Sequence, residues 1–138
     1  MGRILCIDYG LKRTGLAVTD PLQIIASALT TLETPQLIPF LKTYCAQETV
    51  DRILMGEPLD LDDRPTHATA LVRKARVLIE KALPQIPIEY VDERYTSKRA
   101  VEAMVQMGMK KKDRRVKGNV DKLAATIMLQ AWLAEQNT

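Results

Sequence analysis

The apolar positions Ile4, Leu5, Cys6 and Ile7 follow one another without interruption, then give way to Asp8-Tyr9-Gly10. An unbroken apolar run, rather than an alternating one, marks a strand buried on both faces. Asp8 stands at the C-terminal end of that strand, where a carboxylate can be held rigidly yet face a cleft. Asp shortly before Gly is also ordinary turn chemistry, so Asp8 alone decides nothing. Gly10 to Gly15 is a short polar link, and Leu16 to Thr19 reads as a second strand. The link is too short for a crossover helix, which predicts an antiparallel pair. After a turn at Asp20-Pro21, Ile24 to Leu32 can supply a third strand and complete a meander.

The period then lengthens. Thr34-Pro35 has the form of a helix start, with Thr as cap and Pro in the first position. Leu37, Leu41, Tyr44 and Cys45 form its apolar face. Pro39 would remove a hydrogen bond beyond the first turn, so it is a second candidate start. Arg52 to Gly56 predicts a fourth strand, and Glu57 to Pro65 an acidic loop. Ala68, Leu71, Val72, Ala75, Leu78, Ile79 and Ala82 keep helical spacing, with Arg73, Lys74, Arg76 and Lys81 facing away. Ile88 to Val91 is a fifth strand, and Thr96 or Ser97 caps a third helix to about Met107. Gly108 to Gly118 has no hydrophobic period and reads as a loop. Asn119 then caps a last helix with Val120, Leu123, Ala124, Ile127 and Ala131 as its buried stripe. The expectation is one domain over residues 1–138, of α/β class, with a five-stranded mixed sheet whose first three strands are antiparallel.

Composition narrows the class. The chain has 138 residues, 46% apolar and 27% charged, as in an ordinary globular protein. No run approaches the ~18 apolar residues of a membrane span, and no leader pattern precedes the first strand, so a cytoplasmic protein without a membrane partner is expected. Cys6 and Cys45 lack metal or redox spacing and read as reduced thiols. With His67 as the single histidine, a histidine-rich metal site or a Ser-His-Asp triad is disfavoured. Aromatics make up 4% of the chain, too few for an extended base-stacking platform.

Charge is unevenly spread. The net charge is +3, yet Lys110, Lys111, Lys112, Arg114, Arg115 and Lys117 are opposed only by Asp113. Such a block can be a solvated loop, or the part of the protein that meets a phosphate backbone.

Three acids stand out by position. Asp8 ends the first strand, Glu93 follows the fifth, and Asp121 lies in the first turn of the last helix. With the fourth strand inserted between the first and fifth, both strand ends fall on one edge, and a packed helix can bring Asp121 there. Converging carboxylates repel and take up protons unless a divalent cation lies between them. Oxygen-only donors suit Mg²⁺ or Mn²⁺. Each acid also has a plainer explanation: Glu93 can pair with Arg94, and Asp121 can complement a helix dipole.

The stretches Ile7-Asp8-Tyr9-Gly10 with Arg13-Thr14-Gly15-Leu16-Ala17, Asp92-Glu93-Arg94-Tyr95-Thr96-Ser97, and Val120-Asp121-Lys122-Leu123-Ala124-Ala125 resemble the motifs of the YqgF family. That family is also described as Holliday-junction-resolvase-like and has a ribonuclease H-like fold, with helices on both faces of the sheet. The resemblance runs over nearly the whole chain, and its three motifs occur in order. It implies that Asp8, Glu93 and Asp121 are metal-binding catalytic acids of a phosphodiester hydrolase using two Mg²⁺ or Mn²⁺ ions, ~3.5–4 Å apart in such sites. It also implies maturation of the 5′ end of pre-16S ribosomal RNA in the cytoplasm. Arg13, Arg94, Lys98 and Arg99 lie near the motif acids and are candidates for flanking phosphates. Lys110, Lys111, Lys112, Arg114, Arg115 and Lys117 are candidates for the backbone further away.

Two departures from the family pattern matter. Gly56-Glu57-Pro58 followed by Asp62-Asp63 replaces the usual Gly-Leu-Pro with a later Asp-Gly. Ala124 stands where related resolvases often carry a fourth acid, leaving Asp92 or Asp62 as stand-ins. The competing expectations are a resolvase of branched DNA, which needs a dimer to cut symmetrically, and a nucleic-acid-binding factor that does not cut. A nucleotide-binding kinase-like or actin-like ATPase also opens with such a strand and turn, but needs two large domains. A monomer or weak homodimer is expected.

Overall fold

A computed structural model describes residues 2–58, 62, 64–92 and 117–136, the side chains of 117–122 excepted. The chain forms β1 (Arg3–Asp8), β2 (Arg13–Thr19), β3 (Ala26–Glu33), α1 (Leu37–Gln47), β4 (Val50–Glu57), α2 (His67–Ala82), β5 (Ile88–Asp92) and α3 (Lys117–Gln136). The helix expected from Thr96 or Ser97 to Met107, and the basic stretch from Gly108 up to residue 116, lie outside the described residues.

The five strands make one sheet in the order β3-β2-β1-β4-β5. β1 pairs antiparallel with β2, and β2 with β3, while β1, β4 and β5 run parallel. The sheet is therefore mixed, with the meander on one side. The unbroken apolar runs of β1 and β4 follow from burial on both faces. Leu5, Ile7, Leu16, Ile53 and Met55 pack under α1 and α2 with Leu37, Leu41, Val72 and Ile79. Ile4, Cys6, Ala17 and Leu54 pack under α3 with Ala125, Met128 and Leu129.

Several local expectations change. Thr34 does not cap a helix with its side chain. Thr34–Gln36 is a single 3-10 turn with Pro35 at its start, and α1 continues from it at Leu37. Pro39 then falls within the first turn of α1, where backbone N–H groups have no helical partner to lose. α2 is capped by Thr66, which exchanges hydrogen bonds with Thr69 in a capping box. Arg76 does not face away: its guanidinium stacks 4.6 Å from the Tyr90 ring centroid and donates to the Ile88 carbonyl. Leu78, expected inside, is 58% exposed.

The last helix differs most. α3 begins at Lys117, so Lys117 and Gly118 belong to the helix and Asn119 lies within it rather than capping it. Asp121 is consequently in the second turn, and no acid occupies the first. The buried stripe is Ala124, Ala125, Met128, Leu129 and Leu133, whereas Ala131 is exposed and Leu123 and Ile127 are half-buried. Of the expected stripe Ala124 is buried, and Ala125 packs with Ile4, Cys6 and Ala17 of the sheet. A stripe chosen by the bulk of Leu123 and Ile127 is rotated from the true one.

Candidate active site

Asp8 is the last residue of β1 and half-buried. Side chains alternate along a strand, so Asp8 shares the α3 face with Ile4 and Cys6, while Ile7 faces α1 and α2. Across the antiparallel ladder Asp8 is paired with Gly15. Across the parallel ladder Ile7 is paired with Met55 and Met55 with Tyr90, so the next row is Gly15, Asp8, Gly56 and Val91. The C-terminal ends of β1, β4 and β5 and the start of β2 thus share one edge.

The chain is drawn tightly round after Asp8. A Cβ at Gly10 would run into the backbone carbonyl of Arg13. The Thr34 hydroxyl donates to the Gly10 carbonyl at 2.6 Å and lies 3.0 Å from the Thr14 hydroxyl. The Thr34 N–H donates to the Lys12 carbonyl at 3.0 Å. Three bonds from one residue fix the turn that follows the carboxylate.

α3 lies across the sheet face that carries Ile4, Cys6 and Ala17. Its Trp132 stacks with Arg52, 5.9 Å from guanidinium carbon to ring centroid, and Arg52 is level with Ile4 at the start of β1. Four strand steps from Ile4 to Asp8 cover ~13 Å. Eleven helical steps from Trp132 back to Asp121 cover ~16 Å. α3 is thus long enough to span from the start of β1 to its end. Glu93 lies outside the described residues, immediately after Asp92, which ends β5 at that edge. Arg13 opens β2 and, two residues from Gly15, lies on Asp8's face by alternation.

The stand-in acids fare differently. Val91 packs on the α3 face, so Asp92 points to the opposite one. It is level there with Glu57, whose carboxylate lies 3.6 Å from Arg73 of α2. Asp92 is turned from Asp8 by the pleat of its strand and cannot replace the missing fourth acid. Asp62 is an exposed turn residue. Among the described residues no three acids, cysteines or histidines form a group that could hold a metal ion. Of the predicted nucleic-acid contacts, Arg94, Lys98, Arg99, Lys110, Lys111, Lys112, Arg114 and Arg115 lie outside the described residues, as do the side chains of Lys117 and Asp121. The donor chemistry still fits a hard cation: an oxygen donor held at the end of the central strand, on the sheet face that α3 covers.

Two glycines flank Asp8 in the ladder, and both are buried. Gly15 reads as the end of a link and Gly56 as the end of a strand, yet both stand inside the ladder. Glycine within a strand is a known mark of close approach by a ligand or another backbone, and that signal was present in the sequence.

The order β3-β2-β1-β4-β5, with helices on both faces and an acid ending the central strand, defines a ribonuclease H-like fold. Among solved structures, Thermus thermophilus RuvC in complex with Holliday junction substrate matches with a TM-score of 0.60 at 17% identity, over 100% of this chain and 98% of that one. The family model described as "RuvX: Holliday junction resolvase" matches residues 2–135, and the chain belongs to that family. A relative from Christiangramia forsetii is 52% identical over 98% of this chain and 100% of its own length. One from Amoebophilus asiaticus is 50% identical over 97% and 95%. Both carry the name "Putative pre-16S rRNA nuclease".

Proposed function

We propose that this chain is a metal-dependent nuclease that hydrolyses a phosphodiester bond of pre-16S ribosomal RNA during maturation of its 5′ end in the cytoplasm. The observation that supports the reading is the position of Asp8: a carboxylate that ends the central strand β1, at the edge where β4 and β5 also end, on the sheet face that α3 covers. The RNA substrate rests on the names of relatives that match over nearly their whole length.

Asp8, Glu93 and Asp121 would hold two Mg²⁺ or Mn²⁺ ions. When bound, such ions make water nucleophilic near neutral pH and offset charge on the scissile phosphate. The chain supplies the rest. β1 holds the Asp8 carboxylate in place, so little ordering is needed when substrate arrives. Arg13, on the same face, takes a flanking phosphate, with Arg94, Lys98 and Arg99 as further candidates. The bases from Lys110 to Lys117 bind the polynucleotide through its charge, giving affinity without choice of sequence. No histidine is required as base, and a single copy of the chain suffices on a linear RNA.

The test compares two labelled substrates, an RNA carrying the 5′ flank of immature 16S and a four-way DNA junction, with Mg²⁺, Mn²⁺ or EDTA. Metal-dependent cutting of the RNA by a protein that elutes as a monomer supports the proposal. Preferential symmetric cutting of the junction by a dimer would replace it with a resolvase. Binding without cutting of either would replace it with a binding factor.

A further inference from the structure

Asp8 lies on the α3 face of the sheet, and the residue after it turns the other way. Tyr9 packs, half-buried, against the core under α1 and α2. There Tyr9, Leu11, Pro35, Ile38, Ala75 and Leu78 line a pocket of about 340 Å³, between the turn after β1, the start of α1 and the middle of α2. Two of its walls are large apolar side chains held in water, since Leu11 is 71% exposed and Leu78 58%. The volume is at the small end of the range for organic ligands, ~300–1,000 Å³, and suits one planar ring system. The surroundings are basic. Lys12 follows Leu11, and Lys74 and Lys81 stand one helical turn to either side of Leu78; all three are exposed. Of the residues that flank the lining in sequence, Glu33 is the one exposed acid.

We propose that this pocket takes one unpaired base of the RNA next to the scissile phosphate. The strand crosses the C-terminal edge of the sheet with its phosphate at Asp8. A neighbouring base then turns over the edge to rest against Tyr9, between Leu11 and Leu78. The pocket deepens the nuclease reading and rests on it. Three observations select a nucleotide as occupant: an aromatic wall, lysines around an apolar centre, and continuity with Asp8. The last is close, because Asp8 and Tyr9 are joined by one peptide, ~3.8 Å between Cα atoms. The bonds from Thr34 to Gly10 and Lys12 fix the turn that carries Tyr9 and Leu11 together. Apolar walls and a tyrosine accept any base face, so the pocket is tolerant of sequence. What it demands is a base free of pairing, which favours single-stranded RNA over a duplex. One such pocket is also what a chain with 4% aromatics can build.

The competing occupant is a second copy of the chain, covering Leu11 and Leu78. The test uses the full chain and the double variant Leu11→Ser, Leu78→Ser; both leucines are exposed, so the core is untouched. The probe is the labelled 5′-flank RNA, intact or with an abasic nucleotide at each position in turn within two of the cut. Cleavage, RNA affinity by anisotropy and oligomeric state are measured. The expected result is that one abasic position lowers kcat/KM of the unsubstituted protein about tenfold, as loss of one stacked base does. The double variant loses the same factor on intact RNA and nothing more on the abasic one. Full-rate cleavage by the double variant overturns the pocket, as do two losses that multiply. A dimer that the double variant splits, with no abasic position mattering, overturns it in favour of the second copy. An unsubstituted protein that binds but does not cut removes the nuclease reading. Affinity then decides the pocket, which stands if the abasic RNA binds more weakly to the unsubstituted protein alone and falls if it does not.

Discussion

Thr34 joins the first strand's turn to the start of α1, and its removal gives a calculable result. Its hydroxyl proton is committed to the Gly10 carbonyl at 2.6 Å, so the Thr14 hydroxyl, 3.0 Å away, must be the donor to Thr34. Thr14 is fully buried. Replacing Thr34 with Val keeps shape and removes the oxygen. It leaves one buried hydroxyl without its acceptor and one carbonyl without its donor. A buried group left unsatisfied costs ~1–3 kcal/mol. With two such groups, one of them only partly buried, the expected loss is about 2–3 kcal/mol. For a domain of this size each kcal/mol shifts the melting temperature by about 3–4 °C, so Thr34→Val should melt roughly 6–12 °C lower. Thr34→Ser, which keeps the hydroxyl, should recover most of that. Calorimetric melting of the three proteins decides the matter. If Val and Ser variants both melt with the unsubstituted protein, the relay from Thr14 through Thr34 to Gly10 does not hold this turn.

Three further outcomes are expected. Thr66→Ala removes the oxygen that accepts the Thr69 N–H at 3.3 Å and should cost about 1 kcal/mol, read by denaturant unfolding. The Asp20 carboxyl is held below its ordinary pKa, chiefly by the Ile25 N–H and also by those of Ile24 and Leu22. Because the folded value is depressed, its stabilisation is present above the unfolded value near 4 and is lost as pH falls through the folded one. Amide exchange at Ile24 and Ile25 should rise selectively in that acid range, and a flat profile would contradict the turn. Burial raises the Cys45 thiol pKa, and Cys6 is wholly enclosed. At neutral pH a thiol reagent should therefore modify Cys45 slowly, faster as pH rises, and reach Cys6 only on unfolding.

The sheet was legible from its apolar runs, because double-sided burial leaves no room for a polar position in β1 or β4. The edge shared by the ends of β1 and β5 was legible too, since a helix between β4 and β5 calls for a parallel crossover. What pattern could not show was rotation about a helix axis. In α3 the expected stripe shared Ala124 with the buried one, but took in Leu123 and Ile127, which are half-buried, and passed over Ala125, Met128 and Leu129. Nor could it show that Asp92 and Asp8 face opposite ways, which depends on the pleat of β5 against β4. The capping of α1 was misread because the Thr34 hydroxyl is engaged by Gly10 and Thr14, contacts remote in sequence.

The most direct measurement is RNA cleavage by Asp8→Asn beside the unsubstituted protein, across a titration of Mn²⁺ and in EDTA. Asparagine keeps the size of the side chain and removes its charge. The expected result is metal-dependent cutting that falls about a thousand-fold in the variant, equivalent to ~4 kcal/mol of transition-state stabilisation, with RNA binding retained. Cutting at the full rate by Asp8→Asn, or cutting that survives EDTA, would contradict the central claim that Asp8 anchors a metal-dependent nuclease site.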